Sequence, residues 1–446
     1  MLDRLKSLIQ EELQNQHTAH GPGIAEQQVI VARQPVFDQK GSIWGYELLY
    51  RRPPDLAAAD FSSGTVATAA VIINGFESVR PSLKNSQKVL INFNSELIET
   101  QVIRLLPSEI CIVEVLEDVE PTPAVLESVK AIRAAGYTVA MDDYTGQESL
   151  QPFLPLVDII KVEVLGRSPR ELAGLILRLR GDKIKAVLLA EKVEDAKTAE
   201  LCRELGFTLF QGYFFSKPEL MHGKKVSTSQ AVRMHILSLC VGDDVDIRAI
   251  GDAVMHDPII TARFLRFVNS AHFGLRRNIQ SVHRALALVG PVTFMRWLCV
   301  NVLATLENSL VAHELAFLAS QRAKFLENLG TELKTRKMLK QDVSVSALFL
   351  TGLFSLLESV MRMPLTEILE GVPVDEDVLT ALTGGESVYS PWLNLMDRYE
   401  HGEWETSIAI ARTLNLAEKD LSSAYTKALE WSSIFFQSPA VGATSL

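Results

Sequence analysis

Two adjacent carboxylates, Asp142 and Asp143, stand at the end of the short apolar run Thr138-Val139-Ala140-Met141. Side by side they repel each other unless a cation, either a metal ion or a basic side chain, sits close by. Five further apolar runs end in the same way, on Asn92, Glu114, Lys161, Glu191 and Gln211. Glu47 lies inside another, Tyr46-Glu47-Leu48-Leu49-Tyr50-Arg51, where a buried acid needs a metal or Arg51 beside it. Glu47, Glu114, Asp142, Asp143 and Glu191, together with Asn92, form an oxygen-rich set that suits hard cations such as Mg2+ or Mn2+. No Cys2His2 pattern points to zinc.

Residues at the ends of short apolar runs must be carried by strands covered on both faces. Amphipathic segments such as residues 124–135 and 171–180 fill the gaps between the runs. Strand and helix therefore alternate with a repeat of roughly 20 to 30 residues, which predicts an α/β fold of the (β/α)8 TIM type, with its site at the carboxyl ends of the strands. Residues 29–37 and 43–49 are joined by Asp38-Gln39-Lys40-Gly41-Ser42, a turn suited to a hairpin, so the first strand pair is expected to be antiparallel and the barrel modified. Residues 77–88 read as an exposed loop ahead of the Asn92 strand.

The chain of 446 residues is too long for one core, and two domains are expected. Its net charge of -10 argues against a nucleic-acid partner held by phosphate neutralisation. Four scattered cysteines, Cys111, Cys202, Cys240 and Cys299, without metal-ligand pairs, fit the reducing cytoplasm. The longest apolar stretch, residues 343–357, is interrupted by serines and falls short of the roughly 18 residues of a membrane span, so it reads as a core helix. Residues 1–28 read as an amphipathic helix with Leu2, Leu5, Ile9 and Leu13 on one face, followed by a flexible lead-in. The barrel is expected over 29–222, a linker over 223–229, and an all-α domain over 230–446.

The barrel half resembles the EAL-type cyclic di-GMP phosphodiesterases. Gln34-Pro35-Val36 is similar to the family's Q-P-[IV], and Glu47-Leu48-Leu49-Tyr50-Arg51 to its E-x-L-x-R signature, with Leu48 where Ala is usual. Asn92 stands at the metal-binding Asn, and Glu114-Val115-Leu116-Glu117 resembles E-x-T-E. Asp142-Asp143-Tyr144 resembles D-D-F, Lys161-Val162-Glu163 resembles K-x-D, Glu191-Lys192-Val193-Glu194 resembles E-G-V-E, and Gln211-Gly212-Tyr213 resembles Q-G-Y. Each motif is short, but eight in order are specific. Three departures stand out: Glu163 for Asp, Lys192 for Gly, and a short loop after Asp143. In the family that loop couples dimerisation to metal binding.

The resemblance implies metal ligation by Glu47, Asn92, Glu114, Asp142 and Asp143, with two Mg2+ or Mn2+ ions about 3.5 to 4 Å apart clamping an in-line displacement at phosphorus. Glu191 is then the candidate general base, and Lys161 stabilises charge beside the attacking water. The plainer reading of Lys161 is a salt bridge to a neighbouring acid. Gln34, Arg51 and Gln211 would bind substrate, Arg51 through a bidentate grip on phosphate, and Glu117 would stabilise the loop.

The second half resembles the HDOD domain, a helical relative of the HD hydrolases, through His256-Asp257-Pro258, residues 262–270, residues 281–290 and the helix around Ala347-Leu348-Phe349. Where the catalytic His-Asp pair would stand, the chain reads Phe354-Ser355, which cannot bind a metal. His256 and Asp257 read as a helix boundary, and His272 and His283 as structural or surface residues. The resemblance thus implies a bacterial cytoplasmic signalling protein that hydrolyses cyclic di-GMP to pGpG and carries a non-catalytic HDOD domain for a protein partner, with homodimerisation a further expectation. One alternative is an inactive receptor or scaffold of the same fold. Another is a Schiff-base aldolase using Lys161, for which the residues give little support.

Overall fold

The computed structural model describes residues 31–50, 61–80, 83, 86–212, 258–270, 278–307, 310–370 and 372–436, with scattered positions between 233 and 273. The expected N-terminal helix, the linker at 223–229, Arg51, Tyr213, His256, Asp257 and His272 lie outside the described residues. The chain divides into two compact units, Met1–Lys217 with Arg398–Glu405, and Pro218–Asp397 with Thr406–Leu446.

In the first unit eight strands close into a barrel in sequence order. They are β1 (Val31–Asp38), β2 (Ile43–Tyr50), β3 (Lys88–Phe93), β4 (Cys111–Val115), β5 (Thr138–Met141), β6 (Ile159–Glu163), β7 (Val187–Glu191) and β8 (Leu209–Phe210). β1 runs antiparallel to both β2 and β8, as the hairpin predicts for its first partner, and the other neighbours are parallel. Helices α1 (Phe61–Val79), α2 (Ser95–Thr100), α3 (Pro123–Ala134), α4 (Pro169–Gly181) and α5 (Ala196–Glu204) provide crossovers. Between β5 and β6 a 3-10 stretch, Glu148–Leu156, replaces a helix, because Pro152 and Pro155 each remove a backbone donor. Helix starts follow the local chemistry. Thr122 caps α3 ahead of Pro123, and Ser168 forms a capping box with Glu171 ahead of α4.

The expected loop at 77–88 is only partly one. Phe76 and Val79 are fully buried, which carries α1 through Val79, while Lys88 already opens β3.

Period-two alternation then positions the site. Val36, Leu90, Ile112, Ala140, Ile159, Leu189 and Leu209 form one buried apolar layer. Two residues further along the parallel strands come Asn92, Glu114, Asp142, Lys161, Glu191 and Gln211. Because β1 is antiparallel, its member of this second layer, Gln34, lies two residues before Val36, directly opposite Glu47 of β2. The apolar layer holds the barrel together, and the polar one lies at its carboxyl end.

The second unit is helical. The 26-residue helix Leu310–Thr335 packs against Val345–Phe354 and Glu418–Phe436. At Gly352 an added Cβ would lie 2.6 Å from the Ala323 backbone, so the glycine permits two helices to approach closely. Phe264 packs its ring 4.7 Å from Phe294 and 5.0 Å from Trp297 in the core. Phe354 is itself in this core, and Ser355 caps the Val345–Phe354 helix, so both are used structurally. His283 is exposed. Within the stretch 343–357 the helix runs Val345–Phe354 and its residues 347–354 are buried, and among the described residues no single helix is long and apolar enough to cross a membrane.

Candidate active site

Lys161 stands at the centre of the polar layer with 1% of its side chain exposed. Its ammonium lies 3.1 Å from Glu47 Oε2 and 2.9 Å from both Asp142 Oδ1 and Glu191 Oε1, and it also donates to Glu114 Oε1. Four acids from four strands thus converge on one buried cation. On the other side Gln211 Nε2 donates to Gln34 Oε1 at 2.7 Å and to Glu47 Oε2 at 2.8 Å. Asn92 Nδ2 reaches Glu47 Oε1 at 3.4 Å, and Tyr50 Oη donates to the Asn92 carbonyl.

The arrangement brings together Gln34, Glu47, Asn92, Glu114, Asp142, Lys161, Glu191 and Gln211. Glu117, Asp142 and Asp143 form an adjoining group whose carboxylate oxygens lie within 4.8 Å of one another. Three features carry little signal in the sequence. Lys161 binds four acids rather than one, Gln147 Nε2 donates to the Asp143 carbonyl at 3.1 Å, and Lys192 pairs with Glu163 at 2.7 Å. The last two occur where the family motifs are broken, which was the available clue.

One ammonium does not satisfy this acid ring. Burial, and then the neighbouring Glu47, holds Glu114 well above the usual carboxylate range. Burial likewise pushes Glu191 up to about 8. Asp142 also feels burial, but attraction and hydrogen bonding from Lys161 outweigh it and hold its carboxyl low. Asp143 is raised by burial and then by the Asp142 charge. For Lys161, burial opposes the charge, yet the surrounding acids, Glu114 foremost, keep the ammonium pKa high.

These shifts predict a pH dependence. Between about 4.5, the ordinary glutamate value, and about 8, folded Glu191 keeps a proton that the unfolded chain has released. The metal-free protein should therefore lose stability as pH rises through that window and level off above it. Chemical denaturation in chelator at pH 5 to 9 checks this, and a rising curve would contradict it.

The donor set fits hard cations. Asn92 Oδ1, Glu114 Oε2, Glu191 Oε2 and Gln211 Oε1 are buried and accept no hydrogen bond. Four such oxygens beside carboxylates make a site for an ion that binds oxygen.

The floor of the site depends on Gly212. Its φ is +143°, and an added Cβ would lie 2.3 Å from the Val193 nitrogen. Gly212→Ala is expected to cost about 1–3 kcal/mol, read from urea unfolding, because backbone must shift beside Gln211. Unchanged stability would mean that the β7 and β8 ends do not pack this tightly.

A closed barrel with polar side chains converging from successive strand ends is the architecture of a TIM-type domain. A model of the EAL domain matches residues 78–218 and a model of the HDOD domain matches residues 226–354. Residues 78–218 are therefore an EAL domain, and an HDOD domain follows it at residues 226–354. β1 and β2, with Gln34 and Glu47, precede the matched residues and join them through the closed hydrogen-bond ladder. The cyclic di-GMP phosphodiesterase CdgJ of Vibrio cholerae is 28% identical over 404 residues, covering 90% of this chain and 92% of CdgJ. The protein YuxH of Bacillus subtilis is 29% identical over 413 residues, covering 90% of this chain and 98% of YuxH.

Proposed function

We propose that the barrel hydrolyses one phosphodiester bond of cyclic di-GMP, giving pGpG, in a reaction that requires Mg2+ or Mn2+ and uses two ions. The observation that carries this reading is the convergence of Glu47, Glu114, Asp142 and Glu191 on one buried point, with oxygens left over. Glu47, Asn92, Glu114, Asp142 and Asp143 would hold the ions. When bound, they supply the positive charge that lets a doubly anionic dinucleotide approach an acidic rim and that acidifies the attacking water.

The protein's own groups do the rest. Glu191 accepts the proton of the water. Lys161 holds the acids in one arrangement and offsets negative charge as it builds up. Gln211, oriented by Gln34 and Glu47, presents its amide to substrate, and Arg51 grips a phosphate. Glu117 steadies the segment that carries Asp143. We assign residues 29–222 to this domain and 230–446 to an HDOD domain that works by protein interaction, without chemistry.

Purified protein incubated with cyclic di-GMP and Mg2+ or Mn2+ should yield pGpG. The engagement of Glu191 by Lys161 favours a second reading, a receptor that binds the dinucleotide intact. Calorimetric binding without pGpG in the same samples would select it.

A further inference from the structure

Trp404 lies well beyond the residues matched by either family model, yet the segment Arg398–Glu405 that carries it belongs to the compact unit of the barrel. Local chemistry fixes the turn in this segment. The helix Ser390–Glu400 is closed by Gly402 at φ +72°, with Gly402 N donating to the Tyr399 carbonyl at 3.1 Å and Glu403 N to the Arg398 carbonyl at 2.9 Å. This pair of bonds is the Schellman closure, and an ion pair of 2.7 Å between Arg398 and Glu403 spans it. Gly402 also meets the barrel, since an added Cβ would lie 2.9 Å from Leu49 Cδ1, near the end of β2. Only glycine suits both the left-handed backbone and this close approach. The next helix, Trp404–Thr413, opens on Trp404, whose ring stands nearly at right angles to that of the buried Tyr399 with 5.3 Å between centroids.

The turn brings Trp404 to a cavity of about 470 Å3 whose other walls include Tyr50, Asn92, Asn94, Leu116 and Asp118, at or just past the ends of β2, β3 and β4. Its volume is that of a small-molecule site. The cavity adjoins the acid ring through Asn92, which borders it and reaches Glu47 Oε1 with Nδ2 at 3.4 Å. Tyr50 Oη, donating to the Asn92 carbonyl, braces the shared wall. Leu116 and Trp404 offer apolar and aromatic surface, whereas Asn94 and Asp118 offer polar groups. The Asp118 carboxylate would repel a phosphate but can accept from the N–H groups of a heterocycle. Such walls suit a flat ring with apolar faces and a polar edge.

We propose that this cavity receives one purine base of the dinucleotide and that Trp404, delivered by the Gly402 turn, is the aromatic face on which that base stacks. The phosphodiester is then directed toward the acid ring next to it. The inference rests on the cyclic di-GMP reading above and applies to a hydrolase and a receptor alike.

Calorimetric titration of cyclic di-GMP into the full chain with Mn2+ tests it, on a Glu191→Gln background that suppresses turnover, with Trp404 intact, Trp404→Ala and Trp404→Phe. Trp404→Ala is expected to weaken binding by about 10- to 100-fold, as loss of an aromatic platform under a base does. Trp404→Phe keeps a stacking face and should stay within about threefold. Stacking also has a spectroscopic signature. Tryptophan emission should be quenched as the dinucleotide binds, and Trp404→Phe should lose most of that quenching while it keeps its affinity, which a purely structural Trp404 would not produce. Should Trp404→Ala fail to fold, the Phe variant and the emission decide alone. Unchanged or tighter binding by Trp404→Ala, or full quenching that persists in Trp404→Phe, would overturn the proposal. Normal binding indifferent to residue 404 removes this inference alone, whereas no binding by wild type or by Glu191→Gln removes the cyclic di-GMP reading together with it.

Discussion

Lys161→Met is expected to lower the stability of the metal-free protein by about 3–5 kcal/mol, the range for removing one partner from a buried ion pair. Methionine fills a similar volume but leaves Glu47, Glu114, Asp142 and Glu191 facing one another without a cation. The acids can respond only by taking up protons, and burial already favours this at Glu114 and Glu191. The deficit should therefore be larger at pH 8.5, where that proton uptake costs more, than at pH 6. Mn2+ should recover much of it, because ligand bound to the native state stabilises by mass action and the variant keeps every oxygen donor. Urea unfolding in chelator and in Mn2+, at both pH values, gives the four numbers required. A variant as stable as wild type in chelator would mean that the four acids do not share the lysine.

The same interaction shows what the sequence could and could not disclose. Runs such as Val89-Leu90-Ile91-Asn92 and Ile110-Cys111-Ile112-Val113-Glu114 expose the logic of a barrel strand. Leu90 and Ile112 face the interior, and period two turns Asn92 and Glu114 inward one layer higher. Membership of the site was thus legible one strand at a time. Its internal wiring was not, because which lysine reaches which acid depends on register and barrel closure. Lys161 was open to a plain salt bridge, and only the closed ladder reveals four partners.

Lys192 and Glu163 were visible as departures from motif, but their pairing requires β6 and β7 to be in register. Helix α1 was lost for a different reason. Its sequence, rich in Ala, Val and Ile from Phe61 to Val79, has little polar periodicity, and its last turn is recognisable only through the burial of Phe76 and Val79. In the helical half the Phe354-Ser355 pair was readable as non-ligating from residue type alone, and the fold gives both residues structural duties.

Glu191→Gln is expected to separate binding from turnover in the metal-loaded protein. In the metal-free state burial holds the Glu191 carboxyl at about 8, so near neutrality it is largely protonated and unable to accept a proton. Positive charge brought into the ring favours the carboxylate, which makes Glu191 a competent base only when the site is loaded. Glutamine keeps the shape and one carbonyl oxygen but has no protonatable carboxylate. Loss of a general base costs typically about 10²- to 10⁴-fold in rate, and pGpG formation by Glu191→Gln should fall by that much. Affinity for intact cyclic di-GMP should change far less, since Arg51, Gln211 and the remaining ligand acids are untouched. The variant should also lose the pH dependence of metal-free stability assigned to Glu191, a readout independent of activity. Isothermal titration beside a pGpG time course decides the matter. Normal turnover by the variant would remove Glu191 from the mechanism, while equal binding with no hydrolysis by either protein would establish the barrel as a receptor.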